Sequence, residues 1–214
     1  MSAHATPPSN APGTSAHPGA QPAPASAGAP APAPASAPEH PSVYEAQRRV
    51  KRDAIAALGF KPYGEREDGL LTVADARSRY DEGVDKAFND ATAAAKGTPG
   101  ATVPDTRPLV KVAGRVMLLR DNGKLIWMNL RDASGDVQVA VSARDAGERS
   151  FALAKQTDLA DIVIAEGRLM KTRTGEITVW ASDVRPGAKS LVPPPEKHAG
   201  LSDVEIRYRQ RYVD

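Results

Sequence analysis

Residues 123–139, "GKLIWMNLRDASGDVQV", decide how this sequence folds. The apolar residues Ile126, Met128 and Leu130 recur at every second position, as in a strand with one face toward a core. The turn signal "SGD" and the alternating run after it complete a β-hairpin. The same alternation leaves Trp127 on the face away from the core. A large aromatic there is either ordinary surface or a platform for a flat ligand.

The hairpin lies within a longer series of predicted strands. Residues 108–120, "PLVKVAGRVMLLR", alternate with Gly114, Val116 and Leu118 on the core side, and an Asn-Gly turn follows. Two more strands, "DIVIAEGRLMKT" and "GEITVWASDVR", come after one short predicted helix. Five strands with a helix between the third and fourth is the order of an OB-fold barrel. We therefore predict a mainly β, five-stranded OB-fold over residues 103–190.

Residues 43–102 are predicted to form a helical appendage and a connector, so that the ordered chain is α+β overall. Ser42 and Gly59 are candidate cap and stop for a first helix, and Thr72 is a candidate cap for a second from Leu71 to Tyr80. The apolar face predicted for the first helix contains Val43, Val50, Ala54, Ile55 and Leu58. Its basic residues, Arg48, Arg49, Lys51 and Arg52, form either a solvated face or a contact with an RNA backbone.

Residues 1–42 consist almost entirely of Ala, Pro, Ser and Gly, and Glu39 is their only Asp, Glu, Lys or Arg. Such a segment lacks the large apolar side chains that offset the entropy of ordering, so we predict a disordered tail. It has neither the basic start nor the apolar run of a secretory signal, and no later stretch resembles a membrane span.

Charge and cysteine content limit the function classes. The net charge is +2, from 28 basic and 26 acidic residues, which is less than a protein that tracks phosphates usually carries. Nucleic-acid binding would therefore depend on a local site. The chain has no cysteine, which excludes disulfides and thiolate metal sites and suits a reducing compartment such as the cytoplasm.

No catalytic arrangement is found in the sequence. The phosphate-binding loop, the dinucleotide fingerprint and the zinc motif H-E-x-x-H are all absent. Of the four histidines, His4, His17 and His40 lie in the tail, and His198 lies in a proline-rich loop. We expect no catalytic residue, no metal ligand and no cofactor in this chain, which favours a binding module.

An OB-fold binds single-stranded nucleic acid on the outer face of its second and third strands, with an aromatic stacked on a base. Trp127 and Asn129 face outward on the second predicted strand, Gln138 on the third, and Glu176 opens the fifth. An amide and a carboxylate together can read the edge of a pyrimidine. Alternatively, Trp127 packs against the N-terminal helices, and Gln138 and Glu176 are ordinary strand surface.

Two arginines of the first predicted strand, Arg115 and Arg120, are candidates for phosphate contacts. Both have nearby aspartates as alternative partners. Trp180 also faces outward by alternation, and we predict that it packs rather than stacks on a base.

The strand sequences, together with "KSLVPPPEKHAGLSDVEIRYRQRYVD" at residues 189–214, resemble the N-terminal part of bacterial class II lysyl-tRNA synthetase. The most specific part is this last run, which resembles the connector into that family's catalytic domain. The likeness covers about residues 43–214. It implies an OB-fold that binds the uridine-rich anticodon of lysine tRNA.

The resemblance also implies roles for particular residues. Trp127 corresponds to an aromatic, most often Phe in the family, that stacks on the middle uridine. Gln138 and Glu176 correspond to the residues that read this base, and Arg115 also matches. Some relatives have two consecutive basic residues where this chain has Leu119 followed by Arg120.

The same resemblance implies that residues 191–214 link to a catalytic domain that would begin after Asp214. That domain binds ATP and Mg²⁺ and provides most of the homodimer interface in the family. We therefore expect this chain to bind tRNA without catalysing aminoacylation. The alternative function is a stand-alone OB-fold that binds single strands without specificity for lysine tRNA.

Overall fold

The computed structural model describes residues 43–96, residues 102–192 and Tyr208. The predicted tail, the candidate cap Ser42, His198 and most of the predicted linker lie outside the described residues. The elements are α1 (Val43–Ala57), α2 (Val73–Ser78), α3 (Glu82–Ala95), β1 (Leu109–Asp121), β2 (Leu125–Asp132), β3 (Gly135–Ser142), α4 (Gly147–Gln156), β4 (Ile162–Lys171) and β5 (Ile177–Ala188).

The five strands form a closed barrel in the order β1-β2-β3-β5-β4. The β3–β5 pair is parallel and the other four pairs are antiparallel. The inward residues form one apolar core, which includes the fully buried Val112, Leu130, Val139, Leu169 and Val179. Helix α4 lies between β3 and β4 in the chain and contacts β5. The predicted OB-fold is confirmed.

The end of β1 departs from the predicted alternation. A bulge between Val116 and Leu118 shifts its register with β2. Leu118 is 50% exposed, and Leu119 packs against the core instead. The prediction that Leu118 faces the core is therefore wrong, because an extra residue reverses the inward and outward positions after it. The shift places Arg120 opposite Trp127.

The buried face of α1 also differs from the prediction. Val43 and Val50 are 72% and 69% exposed, whereas Arg48 is buried. The Arg48 guanidinium donates to the carbonyls of Leu159 and Ser190, each at 3.0 Å. These bonds replace the water that a buried guanidinium loses, so the helix turns this residue toward the barrel.

The other basic residues of α1 all have partners within the protein. Arg49 pairs with Glu45, Lys51 with Asp158 and Arg52 with Asp53. These contacts favour packing and surface ion pairs over an RNA-binding role for this helix.

The ends of the helices follow local sequence signals. The Thr72 side chain accepts from the backbone N–H of Asp75 and caps α2 as predicted, although α2 is shorter than expected. Gly59 has φ of 79°, the left-handed conformation that glycine adopts readily after a helix, which confirms the predicted stop of α1. Asp81 caps α3 by accepting from the N–H of Val84.

Helix α2 is attached to the barrel at the turn between β2 and β3. The Asp132 carboxylate accepts from the N–H of Val73 at 2.8 Å, and the Ser134 hydroxyl accepts from that of Ala74 at 2.9 Å. These two N–H groups have no partner within the helix, so the barrel satisfies them. The appendage is thereby joined to the barrel by hydrogen bonds from the backbone of α2 to barrel side chains.

Candidate nucleic-acid interface

An open cavity of about 440 Å³ lies on the outer face of the barrel, between β1–β3 and the β4–β5 turn. The lining includes Leu118, Arg120, Trp127, Asn129, Gln138, Met170 and residues 172–174. Four predicted site residues are thus brought together: Arg120, Trp127, Asn129 and Gln138. The volume lies within the range of small-ligand sites and can hold a flat ring.

Trp127 lies half-buried in the middle of β2, and its ring contact is with Trp180 of β5. The ring centroids are 6.5 Å apart and the planes meet at 79°, an edge-to-face arrangement. The Trp180 indole N–H donates to the Asp145 carboxylate at 3.0 Å. Trp180 therefore packs, as the sequence predicts, and Trp127 contributes to the lining of the cavity.

Asp145 is a carboxylate held in place by several donors. The hydrogen bond from Arg144 is the largest influence on its pKa, and those from Trp180 and Ser142 act in the same direction. Together they outweigh the effect of burial and hold the pKa of this carboxyl below its usual value. The acceptor for the Trp180 N–H is therefore charged near neutral pH.

Asn129 and Gln138 lie opposite each other on β2 and β3 and offer an unused acceptor and an unused donor. The Gln138 carbonyl accepts from the Thr178 hydroxyl at 2.8 Å, which leaves its NH₂ group unpaired. The Asn129 carbonyl oxygen is buried without a partner, the sole such side-chain atom among the described residues. A buried acceptor without a partner costs about 1–3 kcal/mol. The oxygen is shielded in the free chain, so a ligand N–H would reach it only after the Asn129 amide turns toward the cavity.

Positive charge without a counter-ion is concentrated at this cavity. In the described ranges, five Lys or Arg side chains have neither a carboxylate nor a carbonyl partner: Arg79, Lys96, Arg120, Lys124 and Arg173. Arg120 and Arg173 line the cavity, and Lys124 directly precedes β2. Sequence reasoning missed Lys124 and Arg173, because a single cation in a turn carries no periodic signal.

Two predicted site residues lie apart from the cavity lining. Arg115 is exposed, precedes the β1 bulge and donates to the Ala160 carbonyl at 2.9 Å. Glu176 directly precedes β5, and its carboxylate accepts from Arg77 of α2 at 3.3 Å. Arg77 thus engages one of the two carboxylate oxygens of Glu176. The predicted roles of both residues stay predictions.

Membrane-spanning helices and metal sites are two other features that a chain of this kind can carry. No helix in residues 43–96 or 102–192 is long and apolar enough to cross a membrane. The described residues also contain no group of three or more His, Asp or Glu side chains placed to hold a metal ion.

Comparisons with known proteins agree with this geometry. The family model described as "OB-fold nucleic acid binding domain" (tRNA_anti-codon) matches residues 110–186. Lysine–tRNA ligase of Dehalococcoides mccartyi is 50% identical over 108 residues, which are 50% of this chain and 22% of that protein. Lysine–tRNA ligase of Pelotomaculum thermopropionicum is 39% identical over 169 residues, 78% of this chain and 29% of that protein.

The enzyme of Carboxydothermus hydrogenoformans, also a lysine–tRNA ligase, is 35% identical over 167 residues, 78% of this chain. The matched region spans only 30% of that protein, so the chain corresponds to less than a third of its relative's length. The barrel, the cavity on its outer face and these relatives lead to one assignment. Residues 110–186 match the OB-fold nucleic acid binding family model, and the chain is similar to lysine–tRNA ligases over 78% of its length.

Proposed function

We propose that this chain binds the anticodon loop of lysine tRNA and holds its middle uridine in the cavity beside Trp127. The observation that carries the proposal is the unused donor of Gln138 and the unused acceptor of Asn129 beside an aromatic ring. Sequence-specific RNA recognition usually takes an unstacked base and reads its Watson–Crick edge in this way. The names of the relatives supply lysine tRNA as the candidate ligand.

In the proposed pose, N3 of the base points toward the Asn129 oxygen, and this position accepts uracil rather than cytosine. Uracil presents an N3–H donor flanked by two carbonyl acceptors, whereas cytosine presents an acceptor at N3 and an amino group beside it. In the proposed complex the base stacks on Trp127 and the Gln138 NH₂ donates to a uracil carbonyl. The Asn129 amide turns toward the cavity, and its carbonyl accepts from N3–H. Binding would also satisfy the buried Asn129 oxygen.

Replacing the middle uridine by cytidine in an anticodon stem-loop removes the N3–H that would pair with the Asn129 oxygen. We expect it to weaken binding by about 1–3 kcal/mol, the cost of a buried acceptor left unpaired. Affinities of both loops for the wild-type chain would be measured at one stated salt concentration. A loop with a change in its stem serves as the control and should bind like the parent. Equal affinity for the uridine and cytidine loops would contradict base reading and favour a single-strand binder without this specificity.

The unpaired cations would contact the RNA backbone. The turns after the first and fourth strands of an OB-fold commonly flank its nucleic-acid path, and Lys124 and Arg173 lie in the corresponding turns. Arg120 and Arg173 line the cavity itself, and Lys124 lies in the turn between β1 and β2. This local charge would attract phosphates although the net charge of the chain is only +2.

Removal of one such phosphate contact should reduce the salt dependence of binding. We expect Arg120→Ala and Arg173→Ala each to lower the slope of log K against log salt by about 0.7, the value for one phosphate of a single strand. Arg79→Ala is the matched control, because Arg79 is exposed and unpaired but lies on α2's C-cap rather than in the cavity lining. An unchanged slope in both variants would show that neither Arg120 nor Arg173 contacts a phosphate of the RNA.

Aminoacylation would require parts of the relatives beyond the region matched here, since that region is less than a third of each. The proposed contribution of this chain is affinity and specificity for tRNA. ATP and Mg²⁺ belong to the chemistry of the whole ligase, and no residue described here is assigned to them.

A further inference from the structure

The orientation of Trp127 is controlled by a neighbouring ring. Trp127, Ala140 and Trp180 lie side by side on β2, β3 and β5, at successive rungs of the sheet. Ala140 is fully buried although it faces outward, which leaves the two indoles to meet above it. Their edge-to-face contact is one of the preferred aromatic geometries and stabilises the pair beyond the burial of the rings.

Trp180 is itself fixed at its side chain and its backbone. Its indole N–H donates to Asp145, which follows β3 in the chain, and Asp145 is also bonded to Arg144. On the other side, the backbone of β4 approaches closely at Gly167, where a Cβ would overlap the Trp180 carbonyl. Trp180 does not line the cavity, so it contacts Trp127 rather than a ligand bound there.

We infer that Trp180 is a positioning residue, which with Asp145 holds the Trp127 ring in the orientation that accepts a base. This inference rests on the proposed function of Trp127. An indole on a strand surface can rotate about two side-chain bonds, and fixing it before binding reduces the entropy lost when a base stacks. Asp145 fixes Trp180, Trp180 fixes Trp127, and Trp127 contacts the base.

A spectroscopic test addresses the orientation without RNA. The chain contains two tryptophans, so the coupled indole signal in circular dichroism reports this pair alone. Asp145→Leu keeps both rings but removes the acceptor, and we expect it to reduce the coupled signal strongly. Asp145→Asn keeps an acceptor oxygen and should retain most of it. An unchanged signal in Asp145→Leu would overturn the positioning role of Asp145.

A double-mutant cycle in RNA binding tests whether Trp180 acts through Trp127. Trp180→Leu should weaken binding of the anticodon stem-loop about two- to tenfold, the equivalent of one aromatic pair. Trp180→Phe, which retains a ring edge, should reduce the affinity less than Trp180→Leu does. In a Trp127→Ala background, Trp180→Leu should cause no further loss, because the ring that it positions is absent.

The outcomes separate this inference from the proposed function. If Trp127→Ala itself leaves affinity unchanged, the proposed function fails, and the dichroism still tests the pair. If Trp127→Ala weakens binding but Trp180→Leu does not, or the two losses add, the positioning role is overturned. Ser182→Ala, an exposed change two residues further along β5, is the control and should change neither measurement.

Discussion

Trp127→Ala is expected to weaken binding of the uridine anticodon loop by about 1–3 kcal/mol, the contribution of one base stacked on an aromatic. This corresponds to roughly a five- to 150-fold rise in Kd. The reason is that Trp127 is the single aromatic side chain in the cavity lining of the described residues, so no neighbour can replace its face. Trp127→Phe, with a smaller ring, should retain most of the affinity.

The control for this change is Tyr44→Ala. Tyr44 is an aromatic on α1 that is 67% exposed, and it is absent from the cavity lining. Its removal should leave Kd unchanged. Titration of labelled stem-loop at several salt concentrations would provide the values. If Trp127→Ala and Tyr44→Ala bind like the wild type, Trp127 serves only in packing with Trp180.

Lys189→Ala is expected to cause the largest loss of stability, about 3–5 kcal/mol, the cost of breaking a buried ion pair from one side. The Lys189 side chain is 1% exposed. Its ammonium group donates to the Asp158 carboxylate at 2.6 Å, the Asp161 carboxylate at 2.8 Å and the Gln156 carbonyl at 3.2 Å. The variant leaves the buried Asp161 carboxylate without its counter-ion.

Urea unfolding followed by circular dichroism would measure this loss. Lys155→Ala is the matched control, because Lys155 pairs with Asp121 at the surface and surface ion pairs contribute little. The interpretation would be contradicted if both lysine variants unfolded at the wild-type urea concentration.

The same cluster makes a prediction about pH. Burial raises the pKa of Asp158, but the hydrogen bonds and charges of Lys189 and Lys51 together outweigh it, and the pKa is lowered below 3.8. A carboxyl whose pKa is lower in the folded state stabilises the fold above its unfolded pKa. That stabilisation is lost as the pH falls through the folded pKa. The fall in stability on acidification should therefore be shallower in Lys189→Ala than in the wild type.

Much of the barrel was predictable because strand signals are local. The alternation around Trp127, the Asn-Gly and Ser-Gly turns and the single helix before β4 all lie within short stretches of sequence. Each of these signals favours its strand, turn or helix independently of residues distant in the chain. The succession of five strands and one helix along the chain, and the outward direction of Trp127, Asn129 and Gln138, followed from them. The family resemblance then supplied a ligand that periodicity alone does not name.

The wrong predictions have two physical causes. Leu118 was assigned to the core because alternation assumes an unbroken ladder, and the β1 bulge interrupts it. Val43 and Val50 were assigned to the buried face of α1 because they are apolar. The carbonyls that satisfy Arg48 instead come from residues more than a hundred positions away in the chain. A pattern of apolar residues contains no information about such long-range polar contacts.

The sequence by itself therefore determined the strands, their turns and the outward face that carries the candidate site, because a two-residue period needs only neighbouring residues. Tertiary structure alone decided which outward residues meet. It brought Arg120 opposite Trp127, left the Asn129 oxygen without a partner, engaged Glu176 with Arg77 and set Trp180 against Trp127. These properties depend on register shifts and on partners distant in the chain, which exist only once the barrel has closed.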